Sequence, residues 1–347
     1  MQQKSIYIIY TGGTIGMQRS RQGYVPSQGY LQQQLQQIPW LQRLEMPKFT
    51  IHEYQPLIDS SEMTPAIWQQ MATDIQTHYS DYDGFIVIQG TDTMAFTASA
   101  LSFMLKHLAK PVIVTGSQIP LSELRSDGQS NLVNALYLAA HYPVNEVTLF
   151  FDQKLYRGNR VTKVHADGFS AFTSPNFPPL LETGIHIRQL TLSQSLIPSG
   201  LLQIQKIYPQ PIAIITLYPG LEMNLLHNLL SQPIKAVILR TYGVGNAPRN
   251  PSFLLALEQI IAQRIPVVNL TQCLSGRVNM QGYATGQSLA SLGVISGTDM
   301  TLEATVAKLH YLLSQSLTLS QLSQAMSANL RGELTLDGEN NDWEAVA

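Results

Sequence analysis

The fold is decided at residues 6–16, which read Ile6-Tyr7-Ile8-Ile9-Tyr10-Thr11-Gly12-Gly13-Thr14-Ile15-Gly16. A run of residues with high β-propensity leads into a threonine, a glycine pair and a second threonine, which predicts a buried strand ending in a tight turn. Adjacent glycines let backbone N–H groups approach a ligand closely. Ligands of α/β folds bind outside the carboxyl ends of parallel strands, where the Thr14 hydroxyl would then lie. An ordinary glycine turn fits the same residues, so the turn alone leaves both interpretations open.

A second segment repeats this pattern, with the residues Gly84-Phe85-Ile86-Val87-Ile88-Gln89-Gly90-Thr91-Asp92-Thr93. A helix pattern follows, so Thr91 or Asp92 is expected at a helix N-terminus, where the dipole and free N–H groups favour an anion. Capping of the helix would by itself explain either residue. Because parallel strands open on the same edge of a sheet, Thr14, Thr91 and Asp92 can converge on one small polar ligand.

Short apolar runs alternate with helix patterns along the rest of the chain, which predicts an α/β fold with mainly parallel sheets. Helix starts are marked by Thr64 and Asn250, each followed by proline, and by Thr301. The runs that predict strands are Phe85–Ile88, Pro111–Thr115, Val147–Phe151, Ile212–Leu217, Ala236–Arg240 and Pro266–Leu270.

The length of 347 residues suggests two domains. Residues 189–210 are rich in Ser, Gln, Leu and Pro and break the alternation of strands and helices, so we interpret them as a linker. It would join a larger N-terminal catalytic α/β domain, residues 1–188, to a smaller C-terminal α/β domain, residues 211–337. The last residues, 338–347, are acidic and are predicted to form a flexible tail.

The composition excludes several classes of function. The formal net charge is −2 and no basic run stands out, so nucleic acid is not an expected partner. No segment approaches the roughly 18 uninterrupted apolar residues of a membrane span. Residues 1–4 lead directly into the first predicted strand, without the features of a signal peptide. These features predict a cytoplasmic protein without a membrane partner.

Cysteine and histidine usage argues against a disulfide and a metal site. The single cysteine, Cys273, excludes an intrachain disulfide, and its place at a predicted strand end favours a small buried residue over a nucleophile. The eight histidines are scattered without metal-ligand spacing, so no metal is expected. Residues 243–248 match only the opening of a dinucleotide-binding fingerprint, because proline replaces its third glycine.

A threonine in either turn could act as a nucleophile only with the help of other groups. Threonine is a weak nucleophile, which requires a base for its proton and an oxyanion site for the charge that develops. Lys163 is a candidate base, although a lysine serves as a base only when its surroundings bring its pKa well below about 10.4. Tyr24 follows the first turn closely and is a candidate to orient or deprotonate Thr14. The alternatives are a solvated lysine and a tyrosine that simply packs.

Residues 10–16 and 90–94 resemble the two signature motifs of the bacterial-type L-asparaginase family, most closely its cytoplasmic type I members from enteric-type bacteria. The resemblance covers nearly the whole chain, and the paired motifs at this separation are highly specific. Other segments that resemble the family are residues 115–120, 125–128, 157–160, 242–248 and 269–273.

The resemblance implies hydrolysis of L-asparagine to L-aspartate and ammonia without a metal or organic cofactor. Thr14 matches the threonine that forms the covalent acyl intermediate, and Tyr24 matches its hydroxyl-bearing neighbour. Thr91, Asp92 and Lys163 match a second hydrogen-bonded triad that activates a nucleophile or water. Either threonine has been considered as the one that attacks first in this family, and we assign the attack to Thr14.

The resemblance also implies how substrate is held. Ser60, flanked by Asp59 and Ser61, matches the segment that binds the α-carboxylate and amine of the substrate, and Asp92 would also bind the ammonium. Backbone N–H groups near Gly13 and Thr91 would form the oxyanion hole. A plain turn before the Thr64 helix start is the alternative for residues 59–61. One departure is visible, since the family usually carries histidine where this chain has Gln89.

An oligomer and a regulatory site are further implications of the resemblance. In the family the loop containing Asn246 helps to complete a neighbouring subunit's site, which implies a homotetramer built as a dimer of dimers. Some type I relatives bind asparagine at a second, regulatory site in the C-terminal domain. The candidates to line such a site here are Thr162, Arg240, Thr271 and Cys273, and packing is the alternative for all of them.

Other functions remain as alternatives at this point. A dinucleotide-dependent oxidoreductase fits the α/β pattern, but Thr11 stands where the first glycine of its fingerprint should be. A non-catalytic amino-acid sensor could use the same scaffold. An amidase acting on charged transfer RNA shares the motifs, but the additional N-terminal domain of such subunits is not expected here.

Overall fold

The computed structural model describes residues 3–21, 23–142, 144–191, 200–282 and 284–336. The chain divides into two compact units, residues 1–206 and 207–347. Their border falls inside the stretch 189–210 that we interpreted as a linker. Residues 192–199 of that stretch and the tail 338–347 lie outside the described residues, and the proposed domain boundaries stay predictions.

The first unit is built on a sheet whose central strands are parallel. The described strands of this sheet have the order β13-β12-β9-β8-β7-β5-β1-β4, with parallel pairing from β8 to β4 and antiparallel pairing from β8 to β13. The strands of the unit are β1 (Ser5–Tyr10), β2 (Met17–Ser20), β3 (Gly23–Pro26), β4 (Lys48–Glu53), β5 (Gly84–Ile88), β6 (Leu105–Lys106), β7 (Val112–Thr115), β8 (Val147–Phe151), β9 (Lys154–Arg157), β10 (Thr162–Lys163), β11 (Phe172–Thr173), β12 (Leu181–Thr183), β13 (Ile187–Gln189) and β14 (Gln203–Ile204).

Helices pack on this sheet through apolar residues. The helices are α1 (Tyr30–Gln36), α2 (Pro65–Thr77), α3 (Met94–Met104) and α4 (Gly128–His141). Side chains two residues apart on β1, Ile6, Ile8 and Tyr10, share one core cluster with Leu132 and Leu136 of α4. The central strand β5 is buried along its whole length, as expected for a parallel strand covered on both faces.

The register of β1 fixes the position of the site. Tyr10 at the end of β1 is paired with Ile88 of β5 on one side and with Glu53 of β4 on the other. The N–H of Thr11 donates to the carbonyl of Ile88 at 3.0 Å, one step beyond the paired strands. The strand ends are therefore level, and the turns that follow β1 and β5 leave the sheet side by side.

The second unit contains a smaller parallel sheet with the strand order β15-β16-β17-β18. Asn250 and Thr301 cap their helices as predicted, accepting from the N–H groups of Ser252 and Ala304. The elements of this unit are β15 (Ile212–Thr216), α5 (Met223–Leu230), β16 (Ala236–Thr241), α6 (Pro251–Ala262), β17 (Val267–Thr271), α7 (Ala284–Ser291), β18 (Ile295–Ser296), α8 (Leu302–Leu313) and α9 (Leu319–Ser327).

A buried ion pair fastens the end of the second unit. Lys308 of α8 lies 2.6 Å from Glu333, and both side chains are completely buried. The Lys308 ammonium also donates to the carbonyls of Met326 and Ala328, at 2.9 and 2.6 Å. The Glu333 carboxylate accepts from the N–H groups of residues 330 and 331. Because both charges are fully hydrogen-bonded, removal of either one leaves the other exposed to an apolar interior.

Within the described ranges, no helix is both long and apolar enough to cross a membrane.

Replacing Glu333 by glutamine should lower the free energy of unfolding by about 3–5 kcal/mol, because the Lys308 ammonium loses its compensating charge. Urea denaturation measures this change. The control is Lys4→Met, which breaks the exposed Lys4–Asp83 pair and should cost less than about 1 kcal/mol. The double variant Lys308→Met/Glu333→Leu should recover only part of the loss, because it removes the unpaired charge but leaves the backbone groups that Lys308 and Glu333 bind without their partners. Equal stability of the Glu333→Gln and Lys4→Met proteins would contradict the prediction.

Candidate active site

The turn after β1 is shaped by close contact between backbones. Gly12 and Gly13 have φ values of +134° and +94°, which favour glycine. A Cβ atom on Gly12 would lie 2.3 Å from the carbonyl oxygen of Ile58, and one on Gly13 would lie 2.2 Å from the nitrogen of Gly90. Thr14 follows as the first residue of a 3-10 turn and is partly exposed. The glycine pair therefore lets the Thr14 turn pack directly on the turn after β5.

The turn after β5 touches a third segment in the same way. A Cβ atom on Gly90 would lie 2.6 Å from the Ser60 hydroxyl oxygen, and the Thr93 hydroxyl donates to the Ser60 carbonyl at 2.8 Å. Thr91 begins a short 3-10 turn that precedes α3, so neither Thr91 nor Asp92 caps that helix directly. The structure thus brings together residues 12–14, 59–61 and 90–92, which the sequence singled out.

Lys163 links Thr91 to Asp92. Its ammonium donates to the Thr91 hydroxyl oxygen at 2.9 Å and to the Asp92 carboxylate at 2.7 Å. The lysine reaches this place from β10, which pairs in antiparallel register with β11. Thr91 is buried, whereas the Asp92 side chain is 68% exposed and open to a second partner. The predicted grouping of these three residues is present as a hydrogen-bonded chain.

Gln118 completes the surroundings of Thr91 and was not predicted. Its amide oxygen accepts the Thr91 hydroxyl proton at 2.9 Å, and its amide nitrogen donates to the Gly168 and Ala166 carbonyls at 2.9 and 3.3 Å. The Thr91 oxygen therefore receives a bond from Lys163 while its own hydrogen points to Gln118. The signal that could have found Gln118 is its position three residues after the end of β7, the next strand beside β5.

Tyr24 is paired elsewhere. Its hydroxyl donates to the Glu123 carboxylate at 3.0 Å, and the side chain is 44% exposed at the end of the β2–β3 hairpin. This hydrogen bond raises the pKa of Tyr24 above its ordinary value, because it favours the protonated phenol. The structure shows a Tyr24–Glu123 pair, and the expected action of Tyr24 on Thr14 stays a prediction.

The segment at residues 59–61 is an ordered turn. The Asp59 carboxylate accepts from both the N–H and the hydroxyl of Ser61, each at 2.8 Å, and Ser60 is 5% exposed. Gln89, which replaces the usual histidine, is also buried and donates weakly to the Gly90 carbonyl at 3.3 Å. Its amide oxygen has no hydrogen-bond partner among the residues that the structure describes.

The residues proposed to line a regulatory site divide between the two units. Arg240 is the last but one residue of β16 and Thr271 is the last residue of the adjacent strand β17, and the Thr271 hydroxyl accepts from the Cys273 N–H at 3.0 Å. Cys273 is exposed, so the expectation of a small buried residue is wrong. The reason is that the chain has already left β17 and runs through a surface loop. Thr162 belongs to the first unit, on β10 beside Lys163, and a shared role with the other three stays a prediction.

Neither a metal centre nor a dinucleotide loop is apparent in the described parts of the chain. No group of three or more His, Cys, Asp or Glu side chains there could hold a metal ion. Tyr242 and Asn246 form an antiparallel bridge, so the glycine-rich residues between them make a closed turn. The α6 helix begins only after Asn250.

The buried Thr91 hydroxyl lies at the carboxyl edge of a parallel sheet, between the Lys163 ammonium and the Gln118 amide oxygen, which is the place where α/β enzymes bind their substrates. The family model described as Asparaginase, N-terminal matches residues 5–195, and the model of the glutaminase/asparaginase C-terminal domain matches residues 211–326. The chain belongs to the asparaginase family.

Individual relatives agree with the family models. The chain is 65% identical to L-asparaginase 1 of Escherichia coli K12 over 337 residues, which cover 97% of this chain and 100% of that protein. It superimposes on the crystal structure of L-asparaginase I from Vibrio cholerae with a TM-score of 0.90 and 57% identity, covering 96% of this chain and all of the other. The thermostable L-asparaginase of Thermococcus kodakarensis gives a TM-score of 0.87 at 30% identity, with the same coverage.

Replacing Gly13 by alanine should lower kcat/KM by about 100-fold, because the new Cβ atom drives the Thr14 turn away from Gly90. Steady-state ammonia release measures this loss. The control is Gly29→Ala, which also places an alanine at a positive φ, +71°, but meets no atom within 4 Å. Gly29→Ala should lose about 1–2 kcal/mol of stability and keep its turnover. An active Gly13→Ala enzyme would show that the contact between the turns is dispensable.

Proposed function

We propose that this protein hydrolyses the side-chain amide of L-asparagine to L-aspartate and ammonia through a covalent intermediate on Thr14. The observation that carries the proposal is the direct packing of the Thr14 turn on the turn that holds Thr91, Asp92 and their partner Lys163. The activity named for its relatives supports the choice of substrate. The comparisons give no support to a dinucleotide-dependent oxidoreductase or an amino-acid sensor.

The proposed reaction has two steps. In the first, the Thr14 oxygen attacks the amide carbon, the carbon–nitrogen bond breaks, and the amide nitrogen leaves as ammonia after taking the threonine proton. In the second, water attacks the resulting ester, its hydroxyl group completes aspartate and its remaining proton returns to Thr14. Backbone N–H groups of Gly13 and Thr91 would hold the negative charge that develops on the carbonyl oxygen in both steps.

The Thr91 hydroxyl would take part in proton movement near the reacting carbon. Its oxygen is held by Lys163 and its hydrogen by Gln118, so the group has one fixed orientation before substrate arrives. Lys163 is anchored in turn by Asp92 at 2.7 Å. A preorganised donor and acceptor cost little reorganisation when the transition state forms. The hydrogen-bonded series of Asp92, Lys163 and Thr91 would activate the water of the second step.

A small zwitterion fits the remaining groups. Ser60 lies against Gly90, and with the adjoining residues Asp59 and Ser61 it can bind the substrate's α-carboxylate and amine. The exposed Asp92 carboxylate can accept from the substrate's ammonium while it keeps Lys163 in place. These contacts would set the amide carbon near Thr14, which is the positioning that an amide hydrolysis requires.

We further propose a cytoplasmic homotetramer arranged as a dimer of dimers, in which Asn246 contributes to a neighbouring subunit's site. We also propose a second, regulatory site for asparagine, for which the candidate residues are Thr162, Arg240, Thr271 and Cys273. Analytical ultracentrifugation tests the assembly, and a velocity curve over asparagine concentration tests cooperativity. A monomer at working concentration would remove the shared site from the proposal.

The Thr14→Ala protein should lose turnover by about 1,000-fold or more, because no other hydroxyl replaces the attacking oxygen. Ammonia release from asparagine measures the loss, and circular dichroism checks that the fold is unchanged. Calorimetric titration should still detect substrate. Normal turnover in this variant would refute the role given to Thr14.

The Lys163→Met protein should lose kcat by about 100- to 10,000-fold, since Thr91 then lacks its proton-transfer partner. The matched control is Lys48→Met, which removes an exposed lysine from the edge strand β4 and should behave as the wild type. Full activity of the Lys163→Met enzyme would exclude the second triad from the mechanism.

A further inference from the structure

We infer that Asp127 is a positioning residue for this amide hydrolysis, acting through the loop of residues 116–119 on Gln118 and so on the Thr91 hydroxyl. The inference rests on the proposed function. It concerns a carboxylate that does not contact substrate and that the sequence did not single out for a role.

The Asp127 carboxylate gathers donors from the loop that follows β7. Its two oxygens accept from the Gln118 N–H at 3.1 and 3.0 Å, and one of them also accepts from the Ile119 N–H at 3.3 Å. The Asn131 side chain donates to the same carboxylate at 3.2 Å. One charged group therefore fixes the backbone on both sides of the Gln118 side chain.

Asn131 connects Asp127 to the start of the loop by hydrogen bonds. Its amide nitrogen donates to the Gly116 carbonyl at 3.0 Å as well as to Asp127, and the residue is 2% exposed. A Cβ atom on Gly116 would lie 2.4 Å from the carbonyl oxygen of Gln89, so the loop also packs on the turn that precedes Thr91. The loop is thus hydrogen-bonded at Gly116 to Asn131 of α4 and at Gln118 to Asp127, and it packs against the turn that carries Thr91.

Ordinary helix capping does not account for Asp127. It stands at the cap position of α4, but its backbone is already helical at φ −76° and ψ −14°, and its side chain makes no capping bond to that helix. The carboxylate is turned towards the loop instead. Burial raises the pKa of Asp127, so at neutral pH the ionised group costs stability relative to its protonated form.

The loop connects Asp127 to the Thr91 hydroxyl, because its residue Gln118 is hydrogen-bonded to both. Gln118 accepts from Thr91 at 2.9 Å, and its amide nitrogen holds the carbonyls of residues 166 and 168, just beyond Lys163. A backbone shift of about 1 Å would stretch these bonds beyond hydrogen-bond range. The Thr91 hydroxyl would then lose its fixed orientation while the substrate-binding residues Asp59 and Ser60 stay in place.

A double-mutant cycle between Asp127 and Gln118 tests the inference. Asp127→Asn keeps the size of the side chain but replaces one acceptor oxygen by a donor that opposes the loop N–H groups. We expect kcat to fall by about 10- to 100-fold with KM within about twofold of the wild type. Gln118→Ala should lower kcat to a similar level, and the double variant should be no slower than Gln118→Ala. The control is Asn134→Ala on the same helix, which should keep wild-type kinetics.

The outcomes separate this inference from the proposed function. Wild-type protein that releases no ammonia from asparagine would refute the proposed function itself. An active wild type with a fully active Asp127→Asn variant would refute the inference alone, as would losses that multiply in the double variant. If Asp127→Asn does not fold, Asp127→Glu takes its place, because it keeps the charge and displaces the loop by one methylene, and the same non-additive loss of kcat is expected.

Discussion

The contact between the backbones of Gly13 and Gly90 is the constraint on which the rest of this site depends. Two strands that lie side by side end at the same level, and their turns touch where Gly13 has no side chain. A Cβ atom on Gly13 would lie 2.2 Å from the Gly90 nitrogen, so any other residue there would push the two turns apart. The distance between the two hydroxyl-bearing loops is therefore set by the register of the sheet.

Around that contact the site is assembled from successive strand ends. The turn after β1 supplies Thr14, the turn after β5 supplies Thr91 and Asp92, and the loop after β7 supplies Gln118. Lys163 comes from β10, which forms a separate two-stranded sheet with β11. The hydrogen bonds that join Thr91 to Gln118 and to Lys163 also tie neighbouring loops together.

The sequence was informative where function depends on local pattern, and uninformative where it depends on distant partners. Glycine–threonine turns after apolar runs could be predicted, because a strand and the tight turn that follows it occupy one short segment of the sequence. Gln118 and Asp127 were missed because their hydrogen-bond partners come close to them only in the folded structure. Strand β4 was missed because it is an edge strand, and its polar residues alternate with half-buried ones. Lys308 and Glu333 resemble surface charges in the sequence, although the structure buries both completely.

The strand order of the first unit assembles the site from residues that are far apart in the sequence. Thr14 and Thr91 are separated by 77 positions, and Lys163 follows 72 residues after Thr91. Adjacent parallel strands require the long crossover between them to close first, and such non-local pairing is slow. The proposed catalytic groups are therefore brought together only by contacts between segments far apart in the chain. A nascent chain released before β10 has emerged would carry both threonines but not Lys163, which hydrogen-bonds to Thr91 and Asp92, and under the proposed mechanism it would not hydrolyse amides.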